Sequence, residues 1–136
     1  MVSKDFRIES DDDLNHLREA LREFAADCEF TDYETTKIVT AASEISRNIL
    51  NYAEVGEVTV EVEEDDPEKL RAIFKDEGPG IEDVERAMED GYSGDQSNGL
   101  GVGLPGAERL ADEFKIQSSV GEGTTVTVVI IRDQVQ

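Results

Sequence analysis

Glu44 and Asn48 carry the clearest chemistry in this chain. Their four-residue spacing puts both side chains on one face of any helix that contains them. The Asn48 amide oxygen is a hard, neutral ligand of the kind that suits Mg2+, which keeps several waters while it bridges phosphates. Glu44, one turn earlier, can take a proton from an attacking water or hydroxyl. Asn51 extends the same polar ladder by another turn. Further on, Asp76 stands at the end of an alternating stretch and before Gly78-Pro79-Gly80. Its carboxylate can accept a hydrogen bond from an exocyclic amine such as that of adenine, and the glycines at 78 and 80 let a ring approach the backbone. A second box follows, Gly99-Leu100-Gly101-Val102-Gly103-Leu104-Pro105-Gly106. Two such loops bring bare N–H groups against a ligand, and the helix predicted to start in the second box adds its positive dipole end. That surface suits phosphates, so the three pieces read together as a nucleotide site.

The elements that must position these residues are legible from period and punctuation. Phe6 and Ile8 alternate over residues 4–9 as a short half-buried strand. Ser10 before Asp11-Asp12-Asp13 caps a first helix whose stripe is Leu14, Leu17, Leu21, Phe24 and Ala25, ending near Cys28. Thr31 or Asp32 caps a second, with Ile38, Val39, Ala42, Ile45, Ile49, Leu50 and Ala53 as its apolar face. After a break at Gly56, residues 57–64 and 70–75 alternate as two strands joined by a polar turn. A short helix is expected over 81–88, a mobile lid over 89–98 and a helix from about Gly101 to Asp112. A strand over 114–118, a turn at Val120-Gly121-Glu122-Gly123 and a β-branched strand over 124–131 complete the chain. This order predicts an α/β two-layer sandwich, a mixed sheet covered on one face by helices.

Composition limits the alternatives. A chain of 136 residues with 38% hydrophobic content fits one domain over 1–136 with a single core. It shows no apolar leader and no run long enough to span a bilayer, so a soluble, cytoplasmic protein is expected. With 33 acidic against 13 basic residues and a net charge of -20, neither nucleic acid nor an anionic membrane is an expected partner. The same charge opposes an anionic nucleotide, and so requires a divalent cation and neutral N–H donors at the site. Cys28 is alone and reads as a small buried hydrophobe; His16, off the apolar stripe, reads as solvent-exposed.

Glu44-Ile45-Ser46-Arg47-Asn48-Ile49-Leu50-Asn51-Tyr52-Ala53 resembles the N-box of the GHKL (Bergerat-fold) ATP-binding proteins. Asp76 to Gly80, Gly99 to Gly103 and Gly121-Glu122-Gly123-Thr124 resemble that family's glycine boxes, in the same order. Within the family the chain is most similar to the small serine/threonine kinases of anti-sigma-factor and stressosome regulation. The resemblance implies ATP and Mg2+, with Glu44 as general base for a protein hydroxyl, Asn48 as Mg2+ ligand and Asp76 as adenine reader. It also implies that Gly80 belongs to the pocket floor and that Gly99, Leu100, Gly101, Val102 and Gly103 form the phosphate-facing loop. Thr124 would join the adenine pocket directly or through water. The implied substrate is a Ser or Thr on a STAS-type domain. Phosphorylation would release the kinase to a second partner, a phosphatase or a sigma factor. One departure stands out: residues 89–98 contain no Lys or Arg, which leaves Mg2+, Arg47 and Arg109 as candidate cations for the γ-phosphate. An ATP- or ADP-loaded binding module with little chemistry therefore stands beside the kinase as a second class.

The acidity generates a prediction of its own. Self-repulsion at a net charge of -20 weakens as salt screens it, so the melting temperature should climb from low salt to about 1 M KCl. A flat or falling curve would contradict this.

Overall fold

The computed structural model describes residues 2–65, 68–78 and 103–132. Its elements are β1 (Val2–Ile8), α1 (Asp11–Asp27), α2 (Asp32–Tyr52), β2 (Gly56–Glu63), β3 (Lys69–Asp76), α3 (Gly103–Leu110), β4 (Glu113–Ser119) and β5 (Gly123–Ile131). The expected short helix over 81–88 and the lid over 89–98 lie outside the described residues.

The helix starts follow from their caps. The Ser10 side chain accepts from the Asp13 N–H at 3.2 Å, which satisfies one of the donors a first turn leaves open. At α2 the choice falls on Thr31, through a reciprocal capping box. The Thr31 hydroxyl accepts from the Glu34 N–H at 3.0 Å, and the Glu34 carboxylate accepts from the Thr31 N–H at 2.8 Å. Leu14, Leu17, Leu21 and Ala25 of α1 are buried, as are Ile38, Ala42, Ile45 and Ile49 of α2. Each leucine or isoleucine so buried contributes about 1.5–3 kcal/mol. The chain leaves both helices through a glutamate at positive φ, Glu29 at 61° and Glu54 at 72°.

The strands form one five-stranded sheet in the order β1-β2-β3-β5-β4, and all four ladders are antiparallel. The sandwich is two-layered as expected, but the mixed sheet is corrected. β4 runs in the same direction as β3, and β5 turns back into the space between them, so no two adjacent strands are parallel. The face towards the helices is built in cross-strand rows. Val62, Leu70 and Ile130 form one; Val60, Ala72, Val128 and Phe114 the next; Val58, Phe74, Val126 and Ile116 a third. These residues belong to the core or pack against it. The opposite face carries charge: Arg71 of β3 pairs with Glu61 and Glu63 of β2, which holds the Glu63 carboxyl below its ordinary value. Cys28 is buried under the end of α1, and burial pushes its thiol up, with Glu68, Glu64 and Asp27 adding to the shift. It is a poor nucleophile.

Two glycines at the β4–β5 turn differ in what fixes them. Gly121 has φ +83 with open space where a Cβ would go, whereas Gly123, at φ +86, would place a Cβ 2.1 Å from the Asp76 carbonyl oxygen. Gly121→Ala therefore meets only the left-handed penalty, about 1 kcal/mol, and Gly123→Ala adds overpacking, for about 2–4 kcal/mol in all. Denaturant titration of both variants checks this. Equal losses would show that the close approach to Asp76 does not matter.

Candidate functional site

Above the three apolar rows the same sheet face ends in a polar one. Gly56, Asp76, Thr124 and Ser118 are consecutive partners across β2, β3, β5 and β4. Strand alternation makes this inevitable: Asp76 follows Phe74 by two residues, and Thr124 precedes Val126 by two. Asp76, Thr124 and Ser118 are each half-buried, at the rim where the sheet stops.

Each member is held. Asp76 Oδ1 accepts from the Gly78 N–H at 2.8 Å, a local bond that leaves Oδ2 as an acceptor to offer. The Ser118 hydroxyl donates to the Gly123 carbonyl at 3.0 Å and lies 2.8 Å from the Thr124 hydroxyl. Gly56 has no room for a Cβ, because Ile49 side-chain carbons lie 2.8 and 2.9 Å from that position. Gly78 is filled in the same way by the Ala53 methyl, 2.6 Å from where its Cβ would be. The space that a Gly78 side chain would take is occupied by Ala53, the residue that ends α2.

Ile49 and Ala53 thus seat the last turns of α2 over Gly56 and Gly78, on either side of Asp76. Glu44 and Asn48 lie on that helix, one turn apart and both half-buried, and Asn51 is exposed. Ser46 faces the core, and its hydroxyl has no hydrogen-bond partner among the described residues. The polar ladder of α2 is therefore confined to residues 44, 48 and 51. Arg47 is exposed and pairs with Asp11 at the start of α1, at 3.5 Å. Arg109 lies in the last turn of α3, exposed.

Of the second glycine box, Gly103 is described: it begins α3 at φ +46, the left-handed conformation that glycine tolerates. Gly80, Gly99, Leu100, Gly101 and Val102 lie outside the described residues. Among the described residues no group of three His, Cys, Asp or Glu side chains is arranged to hold a metal ion. A Mg2+ held by one amide oxygen together with ligand phosphates needs no such group, so the Asn48 donor fits that ion. Sequence reasoning missed Gly56 and Ser118. The signal for Ser118 was present in the Val120 to Gly123 turn: closing it as a hairpin pairs Ser119 with Gly123 and hence Ser118 with Thr124.

This geometry has relatives. The histidine kinase-like ATPase domain family matches residues 9–130. The serine/threonine-protein kinase RsbT of Bacillus subtilis is 42% identical over 124 residues, covering 90% of this chain and 92% of the relative. An anti-sigma F factor of Caldanaerobacter subterraneus is 33% identical over 113 residues, 80% of this chain and 78% of the relative. Among solved structures, the RsbU and RsbW domains of a Mycobacterium tuberculosis protein superpose with a TM-score of 0.69 at 20% identity, covering 100% of this chain and 34% of that one. The SiaB–SiaC complex of Pseudomonas aeruginosa gives 0.58 at 14% identity, with 96% and 89% covered, and both likenesses are of fold. The match over residues 9–130, together with the identity to RsbT along nearly the whole chain, places this protein in the histidine kinase-like (GHKL) ATPase domain family.

Proposed function

We propose that this protein is a cytoplasmic serine/threonine kinase that transfers the γ-phosphate of ATP to a Ser or Thr hydroxyl on a STAS-type regulatory partner. Modification of that partner frees the kinase for another, a phosphatase or a sigma factor. The single observation that carries the chemistry is the placement of Glu44 and Asn48, half-buried and one turn apart, on the helix whose last turns cover the Asp76 row. The identity to a serine/threonine kinase, and to anti-sigma factors beyond it, supports both the reaction and the kind of pathway. Among the described residues no helix is long and apolar enough to cross a membrane.

Each residue has a distinct task. Asp76 Oδ2 accepts from the adenine amine, which orients the base at the rim of the sheet. Asn48 holds Mg2+, whose charge offsets that of the phosphates in a protein of net charge -20. Glu44 receives the proton of the incoming hydroxyl, so that the oxygen attacking phosphorus is a better nucleophile. Gly103 and the glycines before it supply N–H donors to the phosphates.

The two helix residues should fail differently. Glu44→Gln keeps size and polarity, so ATP·Mg2+ binding should survive while transfer falls by about 10²-fold or more. Asn48→Ala should instead lose the Mg2+-dependent part of ATP affinity along with activity. Radiolabelled transfer to the partner recovered by pull-down, read beside calorimetric ATP binding, separates the two. A Glu44→Gln protein that phosphorylates as fast as the parent would make Glu44 a solvated helix acid. One observation favours the binding-module reading: Arg47, a candidate cation for the γ-phosphate, is engaged by Asp11. A parent that binds ATP and partner yet transfers nothing would establish that reading.

A further inference from the structure

We infer that Ser118 is a positioning residue that sets the hydrogen-bond sense of Thr124, and through it the preference of the site for a 6-amino over a 6-oxo purine. This rests on the adenine reading of the Asp76 row.

The number of protons available sets the sense of these bonds. Ser118 Oγ stands 3.0 Å from the Gly123 carbonyl and 2.8 Å from Thr124 Oγ1. A carbonyl oxygen can only accept, and a serine hydroxyl has one proton to give. With that proton on the Gly123 carbonyl, the contact with Thr124 is a hydrogen bond only if Thr124 donates. The arrangement that makes both contacts hydrogen bonds turns the Thr124 proton towards Ser118, away from the rest of the row. What Thr124 offers towards Asp76, its partner across the β3–β5 ladder, is a lone pair. Asp76 offers the same, because the Gly78 N–H occupies Oδ1 and leaves Oδ2 to accept.

Two neighbouring acceptors select their ligand by charge and proton count. An exocyclic amine carries two N–H groups and satisfies both, directly or through a water. A carbonyl at the same ring position satisfies neither and leaves lone pairs facing lone pairs, a mismatch of the kind that sites use to reject analogues. Without Ser118, the Thr124 hydroxyl regains a free rotor. It can then turn its proton towards the ligand and donate to a carbonyl. Ser118 thereby discriminates between bases without touching one.

The test is calorimetric affinity for ATP and for ITP, the 6-oxo analogue, with Mg2+, in the parent, Ser118→Ala, Ser118→Thr and Thr124→Val. The parent should favour ATP. Ser118→Ala should narrow the ATP-to-ITP ratio by about tenfold, with ITP affinity held or improved, and Ser118→Thr should restore the ratio because it keeps the hydroxyl. In the Thr124→Val background, adding Ser118→Ala should change the ratio no further, since the two residues act as a unit. Should Ser118→Ala lose its fold, Ser118→Cys, of similar size and a weak donor, takes its place with the same expectation. An unchanged ratio in the alanine or cysteine variant, or equal losses for both nucleotides, would overturn the role of Ser118 alone. A parent that binds ATP and ITP equally would overturn the adenine reading, and this inference with it.

Discussion

Asp76 and Gly123 share a space with no room for a side chain. A Cβ on Gly123 would lie 2.1 Å from the Asp76 carbonyl oxygen and 2.9 Å from the Glu77 α-carbon, so the end of β3 and the start of β5 are locked together. That contact fixes where Asp76 stands, and the rest of the site is arranged about it. Gly78 turns back to bind its carboxylate, Ile49 and Ala53 bring α2 down on both sides, and Thr124 and Ser118 continue the row. Three glycines are needed here for three different neighbours: a main-chain carbonyl at 123, the Ala53 methyl at 78 and the Ile49 side chain at 56.

The position of the polar row follows from the cost of burying it. A polar group taken from water without a partner costs about 1–3 kcal/mol, so a carboxylate and two hydroxyls are tolerated where the sheet ends and not among the valines of the rows below. At the rim they stay half-buried, close enough to water to be entered by a ligand and dry enough for their hydrogen bonds to count. The net charge of -20 works against the same ligand. On the proposed reading, a Mg2+ ion at the phosphates and neutral N–H donors would offset that charge.

Much of the fold was legible because period and caps are local. The stripes of α1 and α2, the start of α2 at Thr31 or Asp32 and the alternation of β2, β3 and β5 were all readable from neighbours in the chain. Strand order was not, because the pairing of β3 with β5 joins residues 48 to 62 apart and the direction of β5 depends on where its hairpin with β4 turns. The candidate residues Glu44, Asn48 and Asp76 stood out by type and spacing, and Thr124 came from the resemblance alone. Their neighbours stood out less. Gly56 reads as a helix break and Ser118 as an ordinary strand polar residue until register puts both in line with Asp76. Gly78 has a second reason to be glycine that its place in a Gly-Pro-Gly run does not reveal, the Ala53 methyl against it.

If the Asp76 carboxylate reads an exocyclic amine at the rim of the sheet, calorimetric ADP binding by Asp76→Asn registers its loss directly. Asparagine keeps the shape and the acceptor for the Gly78 N–H but removes the charge from the bond to the amine. The account predicts a folded protein whose ADP affinity is weaker by about 1–3 kcal/mol. A folded Asp76→Asn protein that binds ADP as tightly as the parent would contradict it.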